Sequence, residues 1–199
     1  LGDVYKRQVL TSPFMLIISA AVKLYDRGPV LYKQKRLTTG GREFYVMKFR
    51  SMIPDAEKDG VPRLATESDS RVTPVGAFLR KCRLDELPQL FNILKGDMSV
   101  VGPRPERPEL TRDYEKEMPE FRFRLKVKAG LTGYAQVTGV YDTTPYDKLK
   151  MDLMYIENYS FILDIRIILM TIKTMILPGE MNSQRKNREK DIADKGGKM

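Results

Sequence analysis

One stretch of the chain, residues 80–105, constrains the fold more than any other and reads RKCRLDELPQLFNILKGDMSVVGPRP. Four apolar residues in it recur at the spacing of one helix face: Leu87, Leu90, Phe91 and Leu94. Pro88 is tolerated only in a first helical turn, and Gly96 is typical of the position just after a helix ends. The stretch therefore predicts a helix that begins near Asp85, which would cap it, and ends before Gly96.

Two adjacent carboxylates, Asp85 and Glu86, would lie at the start of this helix, where the helix dipole favours their ionised form. Arg80 and Arg83 precede the pair, and Arg104 follows it between two prolines. For an isolated Asp-Glu pair, an ordinary helix cap with solvated charges would be the preferred interpretation. Only the long sequence around the pair favours a functional role over this interpretation.

The composition favours anionic partners and limits the types of side chain that could take part in catalysis. The 199 residues suit one domain, and 35 Lys and Arg against 26 Asp and Glu give a net charge of +9. Such a balance suits nucleic acid, phosphorylated substrates or an anionic membrane surface. The chain has no histidine, and its one cysteine excludes an internal disulfide and a Cys-rich zinc site. Acid–base or covalent chemistry therefore falls to carboxylates, Lys, Tyr, Ser or Cys82.

An apolar run over residues 9–24, VLTSPFMLIISAAVKL, precedes the polar part of the chain. It is shorter than the roughly 20 residues that span a bilayer, and Ser12-Pro13 interrupts it. Two interpretations remain open from the residues alone: a buried core helix, or the second half of a re-entrant membrane helix broken at Ser12-Pro13. Residues 1–8 are expected to be a linker or non-native sequence, and the start at Leu1 is expected to mark a fragment.

The remaining patterns predict a mostly helical α+β fold with one β-hairpin. Two β-favouring runs, residues 28–36 and 42–52, flank Gly40-Gly41, and alternation places Phe44, Val46 and Lys48 on one face. Residues 53–72 are polar and predict a loop. Thr-Pro pairs predict helix starts at Thr73 and Thr144, and further helices are expected over 106–121, split by Pro119, and over 161–178. The last is too charged to span a membrane comfortably and suits an interfacial or core helix; residues 179–199 read as a disordered basic tail.

Four motifs carry a family resemblance. DELPQLFNILKGDMSVVGPRP resembles, almost letter for letter, the signature of the bacterial sugar transferases known as monotopic phosphoglycosyl transferases. GPVLYKQKR, KFRSM and KVKAGLTGYAQV are similar to further elements of that family. At three positions the chain departs from the usual pattern, with Lys128 for Arg, Ala129 for Pro and Tyr134 for Trp. At position 128 a lysine would contact phosphate as a point charge and not through a bidentate fork.

The resemblance implies transfer of a sugar 1-phosphate from a UDP-sugar to undecaprenyl phosphate with release of UMP, as the first membrane step of exopolysaccharide or O-antigen synthesis. It implies a covalent nucleophile at Asp85, Mg²⁺ held by Asp85 and Glu86, and a re-entrant or interfacial membrane helix over residues 9–27 ahead of a catalytic domain over 28–178. The expected location is the cytoplasmic face of the bacterial inner membrane. Nucleic acid is not expected as a partner, and a homo-oligomer is left open.

Within this resemblance, five basic side chains are expected to contact substrate phosphates: Arg80, Arg104, Lys48, Arg50 and Lys128. Asp152 and Tyr155 match a family pattern of no assigned role. Two alternatives stay open, namely a non-enzymatic basic module that binds membrane or nucleic acid, and the same transfer without a covalent intermediate. The sequence does not identify the sugar.

Overall fold

The structure is a computed structural model that describes the backbone of residues 2–54, 56, 69–139 and 143–176, and the side chains of these ranges from Pro13 onward. The described residues form two compact units, one built from the chain up to Arg36 and from Glu43 to Met98, the other from Leu37–Arg42 and the chain from Ser99. Most of the predicted loop over 53–72 and the whole predicted tail over 179–199 lie outside the described residues.

The elements of the first unit are three helices and a two-stranded sheet: α1 (Gly2–Asp26), β1 (Leu31–Leu37), β2 (Glu43–Phe49), α2 (Pro74–Lys81) and α3 (Gln89–Leu94). Those of the second unit are four helices and a second two-stranded sheet: β3 (Met98–Val101), α4 (Pro108–Glu117), β4 (Ala129–Thr132), α5 (Tyr134–Thr138), α6 (Pro145–Glu157) and α7 (Phe161–Ile176). The described ranges also contain three 3₁₀ segments: Thr39–Gly41, Leu84–Glu86 and Pro119–Lys126. The predicted helical α+β fold with a hairpin is confirmed.

Helix α1 begins at Gly2, ahead of the predicted apolar segment, and runs through Pro13 to Asp26. Proline removes one backbone donor and bends a helix, but it need not end it. Ile18 and Val22 are buried against Phe49 and Leu79. No helix among the described residues is both long enough and apolar enough to cross a membrane. The re-entrant path and the break at Ser12-Pro13 stay predictions.

The predicted hairpin is formed by β1 and β2. Positive φ angles at Gly40 (69°) and Gly41 (77°) allow the tight connection, because glycine adopts this region without a Cβ clash. Along β2 the buried positions include Phe44 and Val46, and Lys48 follows on the same face. The sequence predicts this shared face, and strand alternation places Lys48 on it, where the structure leaves its side chain only 21% exposed.

Helix α2 starts where Thr73-Pro74 predicts, because the Thr73 hydroxyl accepts a hydrogen bond from the Gly76 amide at 2.9 Å. Gly76 lies so close to the end of the β2 segment that a Cβ built on it would be 2.0 Å from the Ser51 carbonyl oxygen. Only a residue without a side chain permits this approach.

The prediction for α3 is wrong in two respects. The helix begins at Gln89 rather than Asp85, because Arg83 adopts a left-handed conformation (φ 54°) and Leu84–Glu86 form a 3₁₀ turn before Pro88. The buried residues of α3 are Gln89 and Asn92, whereas Phe91 is exposed. Gly96 does end the helix with a positive φ of 79°, as expected.

Asn92 explains why α3 buries its polar side. Its amide nitrogen donates to the Tyr45 carbonyl at 2.8 Å, and its amide oxygen accepts from the Met47 amide at 3.0 Å. The side-chain amide thus takes the place of a neighbouring strand along β2. A partner so far away in sequence outweighs the local apolar periodicity.

In the second unit β3 pairs with β4, and Val101, Tyr155 and Ile167 form the centre of the apolar core. The Thr144 hydroxyl caps α6 as predicted, by accepting from the Asp147 amide at 3.1 Å. The predicted division of a charged helix at Pro119 is also confirmed, since α4 ends at Glu117 and a 3₁₀ segment follows.

Helix α7 has apolar side chains both on the side that packs into the core and on a side that is exposed. Ile167 is fully buried and Asp164 accepts a hydrogen bond from the Tyr155 hydroxyl at 2.8 Å. A row of exposed apolar side chains occupies another side of the helix: Ile162, Ile165, Leu169, Ile172 and Ile176. The predicted helix is confirmed, and its exposed row suits the interfacial interpretation better than a core helix.

Replacing Gly76 by Ala tests the close approach of α2 to the chain at Ser51. In an open helix this change would stabilise by about 1 kcal/mol. Here the new methyl group would overlap the Ser51 carbonyl, so the free energy of unfolding should fall by about 1–3 kcal/mol. Chemical denaturation measures the difference, with Lys81→Ala on the exposed end of α2 as control. A stabilised Gly76→Ala protein would contradict the contact.

Candidate active site

The two carboxylates lie in the 3₁₀ turn Leu84–Glu86, directly after the left-handed Arg83. Asp85 is buried, with 9% of its surface exposed, and Glu86 is half-buried. The turn itself makes no side-chain cap, and the next helix starts only at Gln89. The expected placement of both carboxylates at a helix N-terminus is therefore wrong.

Lys48 reaches the turn from β2. Its ammonium nitrogen lies 2.7 Å from a carboxylate oxygen of Glu86, and the two side chains keep only 21% and 13% of their surface exposed. Such a partly buried pair holds its geometry better than a surface ion pair does. The structure thus brings Lys48 and Glu86 together, a contact that the sequence did not predict.

Asp85 differs from its neighbour. Among the described residues its carboxylate forms no hydrogen bond or ion pair with another side chain. Burial raises the pKa of Asp85 above its ordinary value, and the charge of Glu86 raises it further, while Lys48 and Arg80 oppose the rise. The expectation that the helix dipole would favour the ionised form is wrong, because desolvation dominates.

Arg80, in the last turn of α2, is close enough to lower the pKa of Asp85. Its Nε donates to the Ser51 hydroxyl at 2.8 Å, and this hydrogen bond orients the guanidinium group. The sequence predicted Arg80 near the carboxylates but missed Ser51. No local signal identifies that serine, since its partner is on a separate element.

Arg50 is buried and has internal partners. Two of its guanidinium nitrogens donate to the Asp26 carboxylate at the end of α1, and its Nε donates to the Pro29 carbonyl. The same contacts lower the pKa of Asp26, chiefly through its hydrogen bonds from Arg50. A Cβ on Gly28 would lie within 2.8 Å of the Arg50 guanidinium. This geometry favours a structural role for Arg50 over the predicted phosphate contact.

In the second unit, Arg104 is exposed between two buried prolines, Pro103 and Pro105. The backbone there is held by the Pro103 carbonyl, which accepts from the Gly130 amide at 2.9 Å. Lys128 is exposed as well. The Pro-Arg-Pro segment therefore presents one arginine from a fixed backbone. The side chain of Ser12 lies outside the described residues.

The carboxylate pair can be tested for its fit to Mg²⁺. Over the described ranges, no group of three or more Asp, Glu, His or Cys side chains could hold a metal ion. Mg²⁺ is nevertheless commonly held by one or two carboxylates with substrate phosphates and water completing its shell. Asp85 is buried and forms no ion pair with a side chain in the described part of the protein. Together with Glu86 it supplies such a donor set, so the residues fit the ion.

Comparisons with known proteins give a consistent result. Residues 6–178 match the family described as bacterial sugar transferase. The UDP-N-acetylgalactosamine-undecaprenyl-phosphate N-acetylgalactosaminephosphotransferase of Aeromonas hydrophila is 43% identical over 170 residues, which cover 84% of this chain and 40% of that protein. The UDP-glucose:undecaprenyl-phosphate glucose-1-phosphate transferase of Xanthomonas campestris pv. campestris is 46% identical over 164 residues, or 80% and 34% of the two chains.

A protein named as a UDP-glucose:undecaprenyl-phosphate glucose-1-phosphate transferase from Caulobacter vibrioides is 37% identical over 182 residues, which cover 87% of this chain and 68% of the relative. The chain spans about two-fifths or less of the Aeromonas and Xanthomonas proteins. The family match covers most of the chain, including the carboxylate turn and the Pro-Arg-Pro segment. The chain belongs to the bacterial sugar transferase family.

Proposed function

We propose that this chain transfers a sugar 1-phosphate from a UDP-sugar to undecaprenyl phosphate and releases UMP, as the first membrane step of exopolysaccharide or O-antigen synthesis. The names of the relatives support the substrate classes. The observation that carries the proposal is the contrast inside the carboxylate pair. Glu86 is held by Lys48, whereas the buried carboxylate of Asp85 has no side-chain partner in the described part of the chain.

In the proposed reaction, Asp85 is the covalent nucleophile. Its carboxylate oxygen forms a bond to the β-phosphorus of the UDP-sugar, and the bond from that phosphorus to the bridging oxygen breaks, so that UMP leaves with the electron pair. An oxygen of undecaprenyl phosphate then attacks the same phosphorus and releases the carboxylate. Desolvation suits this role, because a carboxylate with a raised pKa is the more basic and the stronger nucleophile.

Asp85 and Glu86 would hold Mg²⁺, which when bound neutralises charge on the diphosphate and on the departing UMP. The ion pair with Lys48 fixes the Glu86 carboxylate beside Asp85. Arg80, oriented by the hydrogen bond from its Nε to Ser51, is suited to bind a phosphate oxygen through its two terminal guanidinium nitrogens. Arg104 and Lys128 are exposed cations suited to the same task, and Lys48 adds positive charge at the turn.

The membrane part of the proposal rests on α1. Beyond Pro13, several large apolar side chains of this helix are exposed: Phe14, Leu16, Ile17 and Leu24. Burial of such side chains in hydrocarbon is favourable. We infer that α1 enters the cytoplasmic leaflet of the inner membrane and that Pro13 bends it back. Labelling of a cysteine introduced at the native N-terminus would test this path, since access only from the periplasm would contradict it.

Incubation with a UDP-sugar alone tests the covalent step. We expect release of UMP together with a mass increase, equal to one phosphosugar, on the peptide that contains Asp85. Asp85→Asn should lower turnover by several orders of magnitude and abolish the adduct, because an amide is a poor nucleophile. Asp113→Asn, at an exposed acid on α4, is the matched control and should leave both unchanged.

The same variant separates loss of chemistry from loss of fold. Because the folded-state pKa of Asp85 is raised, its ionised form costs stability above that pKa. Asp85→Asn should therefore be at least as stable as the native chain at pH 8, and its advantage in stability should shrink as the pH falls and Asp85 becomes protonated.

Two other outcomes would contradict the covalent mechanism. Turnover by the native protein without an adduct, and with kinetics that require both substrates at once, would point to direct transfer. A protein that releases no UMP from any UDP-sugar and binds nucleic acid tightly would instead be a binding module.

The pH dependence tests the role of Lys48. If the ionised Asp85 reacts, kcat/KM should fall as the pH drops through the pKa of Asp85. Since Lys48 lowers this pKa, Lys48→Met should move the acidic limb of the profile to higher pH. Lys35→Met is the control, because Lys35 forms an exposed pair with Glu43 on the hairpin. An acidic limb that does not move would separate Lys48 from the ionisation that controls activity.

Arg104 tests the contact to phosphate. A guanidinium fork can bind two phosphate oxygens at once, whereas an ammonium group binds as a point charge. Arg104→Lys should therefore lower kcat/KM by about 100-fold, nearly as much as Arg104→Ala. Arg112→Lys, an exposed arginine on α4, is the matched control. Native activity in Arg104→Lys would show that only charge matters at this position.

A further inference from the structure

A buried arginine in the second unit contacts the backbone of the Pro-Arg-Pro segment. Arg124 lies in the 3₁₀ segment Pro119–Lys126 and is 7% exposed. Its Nη2 donates to the carbonyl oxygen of Arg104 at 3.0 Å, and its Nε donates to the Asp152 carboxylate on α6 at 2.7 Å. One guanidinium group therefore joins the Arg104 backbone to a buried acid on a different helix.

The surroundings of Arg124 leave it little freedom. Its Cζ lies 4.7 Å from the centre of the Phe121 ring, and its Nη1 is 4.0 Å from a Glu106 carboxylate oxygen. Asp152 is 1% exposed, and burial raises its pKa while Arg124 opposes the rise. In a buried pair of this kind, removal of either partner leaves the other charge uncompensated.

The segment around Arg104 is held on both sides as well. The Pro103 carbonyl accepts from the Gly130 amide at 2.9 Å, and the Glu106 carbonyl accepts from the Leu37 amide at 3.1 Å. The Arg104 carbonyl lies between these two carbonyls in the sequence, and the hydrogen bond from Arg124 fixes it as well. The two prolines restrict the backbone of the segment, so the position of the Arg104 carbonyl determines the direction in which its side chain leaves.

We propose that Arg124, anchored by Asp152, is a positioning residue for Arg104: it fixes the backbone from which the Arg104 guanidinium reaches a substrate phosphate. The inference rests on the proposed function, in which Arg104 binds phosphate. It gives a role to Asp152, which the sequence left without one. Arg124 itself is buried and acts only through the carbonyl of Arg104.

Arg124→Lys tests this role because it separates the two contacts. A lysine can still pair with Asp152 through its ammonium group. It lacks the second guanidinium nitrogen, which donates to the Arg104 carbonyl, so that hydrogen bond should be lost. In the full-length protein, assayed in lipid with a UDP-sugar that supports UMP release, kcat/KM should fall by about 10- to 100-fold, since small misplacements of a binding group have effects of this size. Arg122→Lys, an exposed arginine of the same segment, should behave like the native protein.

A double-mutant cycle distinguishes positioning from general damage. If Arg124 acts through Arg104, Arg124→Lys should have almost no further effect in an Arg104→Ala protein. A general loss of folded protein would instead lower activity by the same factor in both backgrounds. Asp152→Asn provides a second variant, since the amide keeps the size and an acceptor oxygen, and it should show the same dependence on Arg104.

The outcomes separate this inference from the proposed function. Native activity in Arg124→Lys, or an equal loss with and without Arg104, would overturn the positioning role even while the enzyme works. Affinity for UMP, measured by calorimetry, gives a second readout and should weaken in Arg124→Lys and Arg104→Ala alike. If the native protein releases no UMP from any UDP-sugar and Arg104→Ala binds UMP normally, the proposed function fails first.

Discussion

The packing of α3 in the first unit depends on two hydrogen bonds that the Asn92 side chain forms with the backbone of β2. A two-stranded sheet leaves the outer amides and carbonyls of each strand without strand partners, and an unpaired polar group that is buried costs about 1–3 kcal/mol. The side-chain amide of Asn92 satisfies one carbonyl and one amide, at Tyr45 and Met47. This contact fastens α3 to the strand that carries Lys48. Since the Asp85–Glu86 turn directly precedes α3, the ion pair between Lys48 and Glu86 depends on the same attachment.

Each unit uses a buried arginine in the same way. Arg50 joins the end of α1 to the segment after β2 through Asp26 and the Pro29 carbonyl. Arg124 joins α6 to the Pro-Arg-Pro segment through Asp152 and the Arg104 carbonyl. In both cases a planar fork bonds a carboxylate and a backbone oxygen together, which a lysine could not do with the same geometry. The buried arginines thus fix the backbone around them.

The sequence predicted those parts of the fold that depend on local signals. Thr73 and Thr144 cap their helices, and Gly40-Gly41 close the hairpin, because these effects act within a few residues. The start of α3 could not be predicted, since the left-handed Arg83 carries no glycine-like signal and Asn92 has its partner on a distant strand. At the candidate site, the sequence shows Asp85 and Glu86 as neighbours, and strand alternation predicted that Lys48 shares a face with Phe44 and Val46. The partners of Arg50 and Arg124 are remote in sequence and left no pattern.

The exposed apolar row on α7 makes the stability of the second unit depend on its surroundings. Ile162, Leu169 and Ile176 keep 81%, 61% and 70% of their surface exposed, while Ile167 on the same helix is fully buried. In water this row contributes little to the free energy of unfolding, because folding removes only a small part of its apolar surface from water. Any surface, detergent or molecule that covers the row binds the folded state in preference and stabilises it by mass action. The melting temperature of such a protein is therefore a property of the mixture in which it is measured, and values from different detergents are not measurements of the same equilibrium.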